Sequence, residues 1–165
     1  MAQANAVETK TRQEMIAKLR RLPQQVAELT EKLTPEQLTS HYLPGEWSVA
    51  QNVHHLADSH MNSYIRLKLI LTEENPTIRP YDQDLWAMTA EANSPDLSAS
   101  LTLLRGLHQR WADLFESLDE SQWQRTGIHP ESGVITPASL LEYYSAHGEA
   151  HLDQMQRTLA AQPDH

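Results

Sequence analysis

The chain has 165 residues and a formal net charge of −9, from 13 Lys+Arg against 22 Asp+Glu. That is the size of one domain with room for a proper core, so residues 1–165 are expected to form a single unit. An acidic chain without a basic run is a poor partner for nucleic acid or an anionic membrane surface. No stretch approaches the ~18 apolar residues of a membrane span, and the absence of cysteine removes disulfides, thiolate ligands and a cysteine nucleophile.

The N-terminal run Met1–Lys10 is polar and lacks the apolar centre of a secretory signal, so the expected location is cytoplasmic. Helical periodicity then dominates. A first helix is predicted from about Val7 to Leu33, with Met15, Leu19, Leu22, Val26, Leu29 and Leu33 as its apolar stripe. Pro23 lies inside it and should kink or split it. Thr34-Pro35-Glu36-Gln37 has the form of a capping box with proline at the first helical position. Pro44-Gly45 marks a loop, and Ser48 with Gln51 forms a second capping box. The long helix it opens should run to about Glu74 and stop before Pro76.

Pro80, Tyr81 and Trp86 punctuate a stretch up to Ser94 without clear period, read as an irregular connection with one turn of helix. A third long helix is expected over about Ser98–Leu118, with Leu101, Leu104, Leu107, His108, Trp111 and Phe115 facing inward. Arg125–Thr136 contains Pro130 and Gly133 and suits a small hairpin or loop. Thr136-Pro137 caps a last helix running to about Ala161. Four long helices with substantial connections predict an all-α four-helix bundle. Leu33-Thr34-Pro35-Glu36-Gln37 also echoes Leu118-Asp119-Glu120-Ser121-Gln122, each between a long helix and a capped, histidine-bearing one.

Nine histidines against five glycines point toward metal chemistry. His147 and His151 are four residues apart in the last helix, so both rings lie one turn apart on one face. They share a stripe with Leu140, Tyr144 and Met155, whereas Glu142, Glu149 and Asp153 point into water. Two polar rings on an apolar stripe break the local pattern in the way functional sites do. The metalloprotease signature is absent, because Gly148 and not glutamate follows His147. A third ligand must come from elsewhere. The second long helix offers His54, His55 and His60. His60 falls on the apolar stripe with Val49, Val53, Leu56, Tyr64, Leu67 and Leu71, as a core histidine would. His55 falls in a polar row with Asn52, Ser59, Asn62 and Arg66, which is either a solvated face or the wall of a wet cleft. Periodicity does not choose between them.

The run Trp47-Ser48-Val49-Ala50-Gln51-Asn52-Val53-His54-His55-Leu56-Ala57-Asp58-Ser59-His60-Met61-Asn62-Ser63-Tyr64-Ile65-Arg66 closely resembles the YfiT-like proteins of the DinB superfamily. So do Leu71–Asp82, His129-Pro130-Glu131-Ser132-Gly133 and the His147–His151 pair. The resemblance extends in order from about Arg12 to Leu159. It implies an up-down-down-up bundle, a homodimer, a small-molecule substrate and metal-dependent hydrolysis, with His55, His147 and His151 as the ligands.

Three neutral imidazoles would leave a divalent ion its full charge and an open position for an activated water. Zn2+ is the first choice, and Ni2+, Mn2+ or Fe2+ also suit three histidines. Two further readings use the same site: transfer of a low-molecular-weight thiol held as thiolate, and a bundle that binds metal without catalysis. No general base stands out. Asp58 suits a supporting or solvent carboxylate, Tyr144 a donor to a developing oxyanion, and His129 the cleft mouth. His41, His108 and His165 read as surface or packing residues, and Trp47, Trp86, Trp111 and Trp123 as core or interface.

Overall fold

The structure, a computed structural model, describes the backbone of residues 2–163 and the side chains of residues 9–163; His165 lies outside the described residues. The long helices are α1 (Ala2–Thr30), α3 (Val49–Thr72), α5 (Ser98–Glu116) and α7 (Pro137–Ala160). Between them lie α2 (Pro35–Thr39), α4 (Gln83–Ala87), α6 (Glu120–Trp123) and a hairpin of β1 (Gly127–His129) and β2 (Gly133–Ile135). Among the described residues no helix is long and apolar enough to cross a membrane.

Pro23 does not split α1, which continues through it as one helix. The helix ends at Thr30 and not at Leu33, because Thr34 must be extended (φ −73°, ψ 158°) to cap α2. Four capping boxes open helices: Thr34 with Gln37, Ser48 with Gln51, Asp119 with Gln122, and Thr136 with Ser139. The Leu33 and Leu118 segments thus become the same device, a single capped turn leading out of a bundle helix. On α1 the buried stripe is Ile16, Leu19, Leu22 and Val26, so Ile16 takes the inward position expected of Met15.

Helix directions follow from which residues meet. Ile16 packs at the level of Leu141 and Tyr144, and Val26 at that of Met155, so α1 and α7 run the same way. Arg20 pairs with Asp113 and Glu116, while Leu22 and Val26 share a cluster with Leu104, so α5 runs opposite to α1. His54 meets Ser100 and His60 meets His108, so α3 is parallel to α5. The bundle is up-down-down-up. Helices α1 and α3 each pack against both α5 and α7, leaving the consecutive pairs α1–α3 and α5–α7 on the diagonals.

Parallel α3 and α5 require residues 73–97 to return along the whole bundle, and this connection is pinned as it goes. Arg125 donates to the last carbonyls of α3, at Ile70 and Glu73, relieving the unsatisfied helix end. Ile78 N–H donates to the Ile128 carbonyl and Ile128 N–H to the Pro76 carbonyl, which adds the connection to the hairpin. Gln51 donates to the Ala87 carbonyl, and His54 bridges Ser94 and Ser100. α3 is consequently buried on nearly every side over its first half. The apolar interior divides into two clusters, one around Leu67, Trp111 and Phe115 and the other around Val26, Leu56 and Met155. Between them lies a layer of histidines.

Candidate metal centre

Helices α3 and α7 bring His55, His147 and His151 together, with one candidate ligand nitrogen from each lying within 4.8 Å of the others. The His147 Nε2 atom is 3.4 Å from His55 Nε2 and 3.1 Å from His151 Nε2. Ligands at ~2.0–2.1 Å in a tetrahedral zinc site stand ~3.3 Å apart, so the spacing fits a single ion.

The second nitrogen of His151 explains which atom is free. Asn52 is fully buried, and its amide NH2 donates to the Ser48 carbonyl at 2.9 Å, leaving Oδ1 as an acceptor. His151 Nδ1 lies 2.7 Å from that oxygen and must be the protonated nitrogen, so Nε2 carries a lone pair toward the other two rings. On the far side of His147, Nδ1 meets His60 Nε2 at 3.1 Å. Burial pushes the three imidazoles far below their ordinary value of 6.5: His55 to about 3, His151 to about 4 and His147 to about 2. For His147 the charges of His151 and then His55 add to burial. Three uncharged rings with converging nitrogens are a donor set for a divalent cation.

The polar row of α3 is not a solvated face. Asn52, His55 and Ser59 are buried at 0%, 4% and 4% exposure, covered by α7 and the 73–97 connection. His60 is fully buried, as its place on the apolar stripe predicts. Gly148 has a reason of its own. A Cβ there would stand 2.6 Å from Leu22 Cδ2, so a larger residue beside His147 must displace Leu22 where α1 packs against α7.

His147 lines a cleft of about 600 Å³ with Arg66, Tyr81, His129, Tyr143 and Tyr144. His129, expected near the mouth, accepts from the Glu131 and Ser132 amides through Nδ1, directing its other nitrogen elsewhere. Tyr144 is buried, with its hydroxyl 3.4 Å from Arg66. Asp58 is not part of the cleft wall; burial, then Glu91, raises its pKa, and His54 opposes them. His41 is exposed, whereas His108 is packed in the interior. Trp111 and Trp123 are core, and Trp86 is partly exposed against Tyr81. Trp47 packs on two of the three rings, 4.7 Å from His55 and 6.1 Å from His151 between centroids. Sequence reasoning missed Asn52 as the partner of His151. The available signal was its place three residues before His55, on the same polar row.

Comparisons with known proteins bear on the fold and the family. A relative from Oceanobacillus iheyensis is 45% identical over 84% of this chain and 80% of its own length. YfiT of Bacillus subtilis is 43% identical over 86% of this chain and 82% of its own. Both carry the provisional name of metal-dependent hydrolase. The solved structure of YfiT, described as having an unusual four-helix bundle topology, superposes with a TM-score of 0.86 at 41% identity, covering 90% of this chain and 86% of that one. The mycothiol-dependent maleylpyruvate isomerase shares the fold at 16% identity and a TM-score of 0.68, over 87% of this chain and 60% of the isomerase. The DinB superfamily profile matches residues 18–155, and the chain belongs to that superfamily.

Proposed function

We propose that the protein is a metal-dependent hydrolase of a small molecule, with His55, His147 and His151 holding one divalent ion at the inner end of the cleft. Zinc is the first candidate for three nitrogen ligands. The observation that carries the reading is the convergence of three neutral imidazoles beside an open cleft. An ion held there would supply Lewis acidity toward a carbonyl and lower the pKa of water. The chain's own side chains prepare the rest. Arg66 borders the cleft, 3.4 Å from both the Tyr144 hydroxyl and the Arg79 carbonyl. Its guanidinium is placed to orient a carboxylate or other anionic group. Tyr144 offers a hydroxyl on the same wall.

The test is a panel of esters and amides with zinc-loaded protein, run with and without a low-molecular-weight thiol. The expected result is cleavage without thiol, lost on chelation and restored by metal. A strict thiol requirement would replace hydrolysis with thiol transfer, and metal binding without turnover in either arm would leave a non-enzymatic metal bundle. Assembly as a homodimer belongs to the same proposal. Its support is the exposed apolar set Leu85, Met88, Val134 and Tyr143. Sedimentation at micromolar concentration should give about twice the 18.8 kDa chain mass.

A further inference from the structure

We propose that Pro23, Leu19, His108 and His60 form a positioning relay that locks His147 in the tautomer whose Nε2 is free for metal. The starting point is a missing donor. Within a helix the carbonyl of residue 19 would accept from the amide of residue 23, but Pro23 has no N–H. The Leu19 carbonyl is therefore vacant on its helical side, and His108 Nδ1 from α5 approaches it at 2.6 Å.

A carbonyl only accepts, so the proton sits on His108 Nδ1, and in the neutral ring Nε2 then carries a lone pair. That nitrogen faces His60 Nδ1 from α3 at 2.8 Å. The contact needs one proton and His108 has none to give, so His60 Nδ1 donates. Its Nε2 is left bare and faces His147 Nδ1 from α7 at 3.1 Å. By the same step His147 Nδ1 donates, and its Nε2 points unprotonated at His55 and His151. One carbonyl on α1 thus dictates the proton order of three rings, one from each of the other long helices. Both inner rings are sealed from water, His60 at 0% and His108 at 1% exposure, and Trp111 packs edge-on to each. Without water to offer a competing donor or acceptor, this proton order satisfies every nitrogen from His108 Nδ1 to His147 Nδ1. The relay ends at a carbonyl that cannot pass a proton on, so it holds and orients and does not conduct.

The inference rests on the metal reading for its purpose, and its test separates the two. Long-range proton–nitrogen spectra of the labelled full chain, zinc-free and zinc-loaded, report the tautomer of each histidine. His60, His108 and His147 should all carry hydrogen on Nδ1; a proton on Nε2 of any of them overturns the relay. His108→Leu removes both ends of the link and should weaken zinc affinity about 10–100-fold, measured by chelator competition. His108→Gln, which can donate to Leu19 and accept from His60, should recover most of that loss. Pro23→Ala returns a competing amide to Leu19 and covers the case in which His108→Leu does not fold; it should weaken zinc binding in the same direction, by less. Zinc affinity within twofold of the parent in both His108→Leu and Pro23→Ala, or no recovery in His108→Gln, would make these residues packing alone. Failure of the parent chain to bind zinc overturns the metal reading, and with it the positioning role, even where the Nδ1 pattern is intact.

Discussion

Two groups of histidines lie side by side in this bundle and meet opposite fates. In the inner pair, His60 and His108, each ring nitrogen faces a hydrogen-bond partner across 2.6–3.1 Å. In the outer group, His55, His147 and His151, three nitrogens face one another, and the partner assignments strip the proton from at least two of them. Lone pairs held about 3 Å apart repel unless a cation lies between them. A histidine is marked as a ligand by what its second nitrogen does, and burial alone does not separate the groups: His55 is as inaccessible as many core residues.

The sharpest way to break this distinction is to truncate the outer group. His151→Ala should lower metal affinity by at least ~100-fold, since an open ligand position costs more than a lost supporting contact, while circular dichroism remains helical. Stoichiometric metal in the purified variant would sink the three-ligand assignment. The inner group should respond differently. His60→Ala removes a fully buried ring and orphans its partners, for an expected loss of about 2–4 kcal/mol in urea unfolding. A loss below about 0.5 kcal/mol would show that the buried chain of rings stabilises nothing.

Protonation gives the next largest contrast. His55 and His108 fall from 6.5 to about 3 and about 4 in the folded protein, both because burial disfavours the charged ring. The unfolded chain then binds more protons than the folded one between pH 6.5 and those values. Stability from these groups is fully present above about pH 6.5 and is lost as pH falls toward 4 and then 3. Each contributes a slope of up to ~1.4 kcal/mol per pH unit. Urea midpoints of the metal-free protein at pH 7.5, 6 and 5 should fall in that order, and a flat series would contradict neutral burial. The smallest expected effect is at Gly148. An added methyl must displace Leu22, so Gly148→Ala should cost about 1–3 kcal/mol while changing zinc affinity little if α7 keeps its register.

Much of this was legible in the sequence. The capping boxes at Thr34, Ser48 and Thr136 mark helix starts because each is a local pattern of hydrogen bonds, complete within four residues. The His147–His151 stripe is legible for the same reason. The choice between His55 and His60 was not, because the answer lies in what covers α3, and the 73–97 connection that buries its polar row is irregular. Periodicity describes one helix at a time. It cannot show that Asn52 meets a ring 99 positions away, or that the proline of α1 leaves a carbonyl for a histidine of α5. The resemblance to the superfamily supplied His55 where the pattern was ambiguous.

In the outer group His55 lies 92 positions before His147, one ring on α3 and two on α7. The proposed metal site would therefore come into being only when α3 and α7 dock, and an unfolded chain would offer at most the local His147–His151 pair. Metal binding at that site would be thermodynamically linked to folding. Free metal at about a hundred times its dissociation constant would add ~2.7 kcal/mol to the folded form, and a chelator would act on this protein as a mild denaturant.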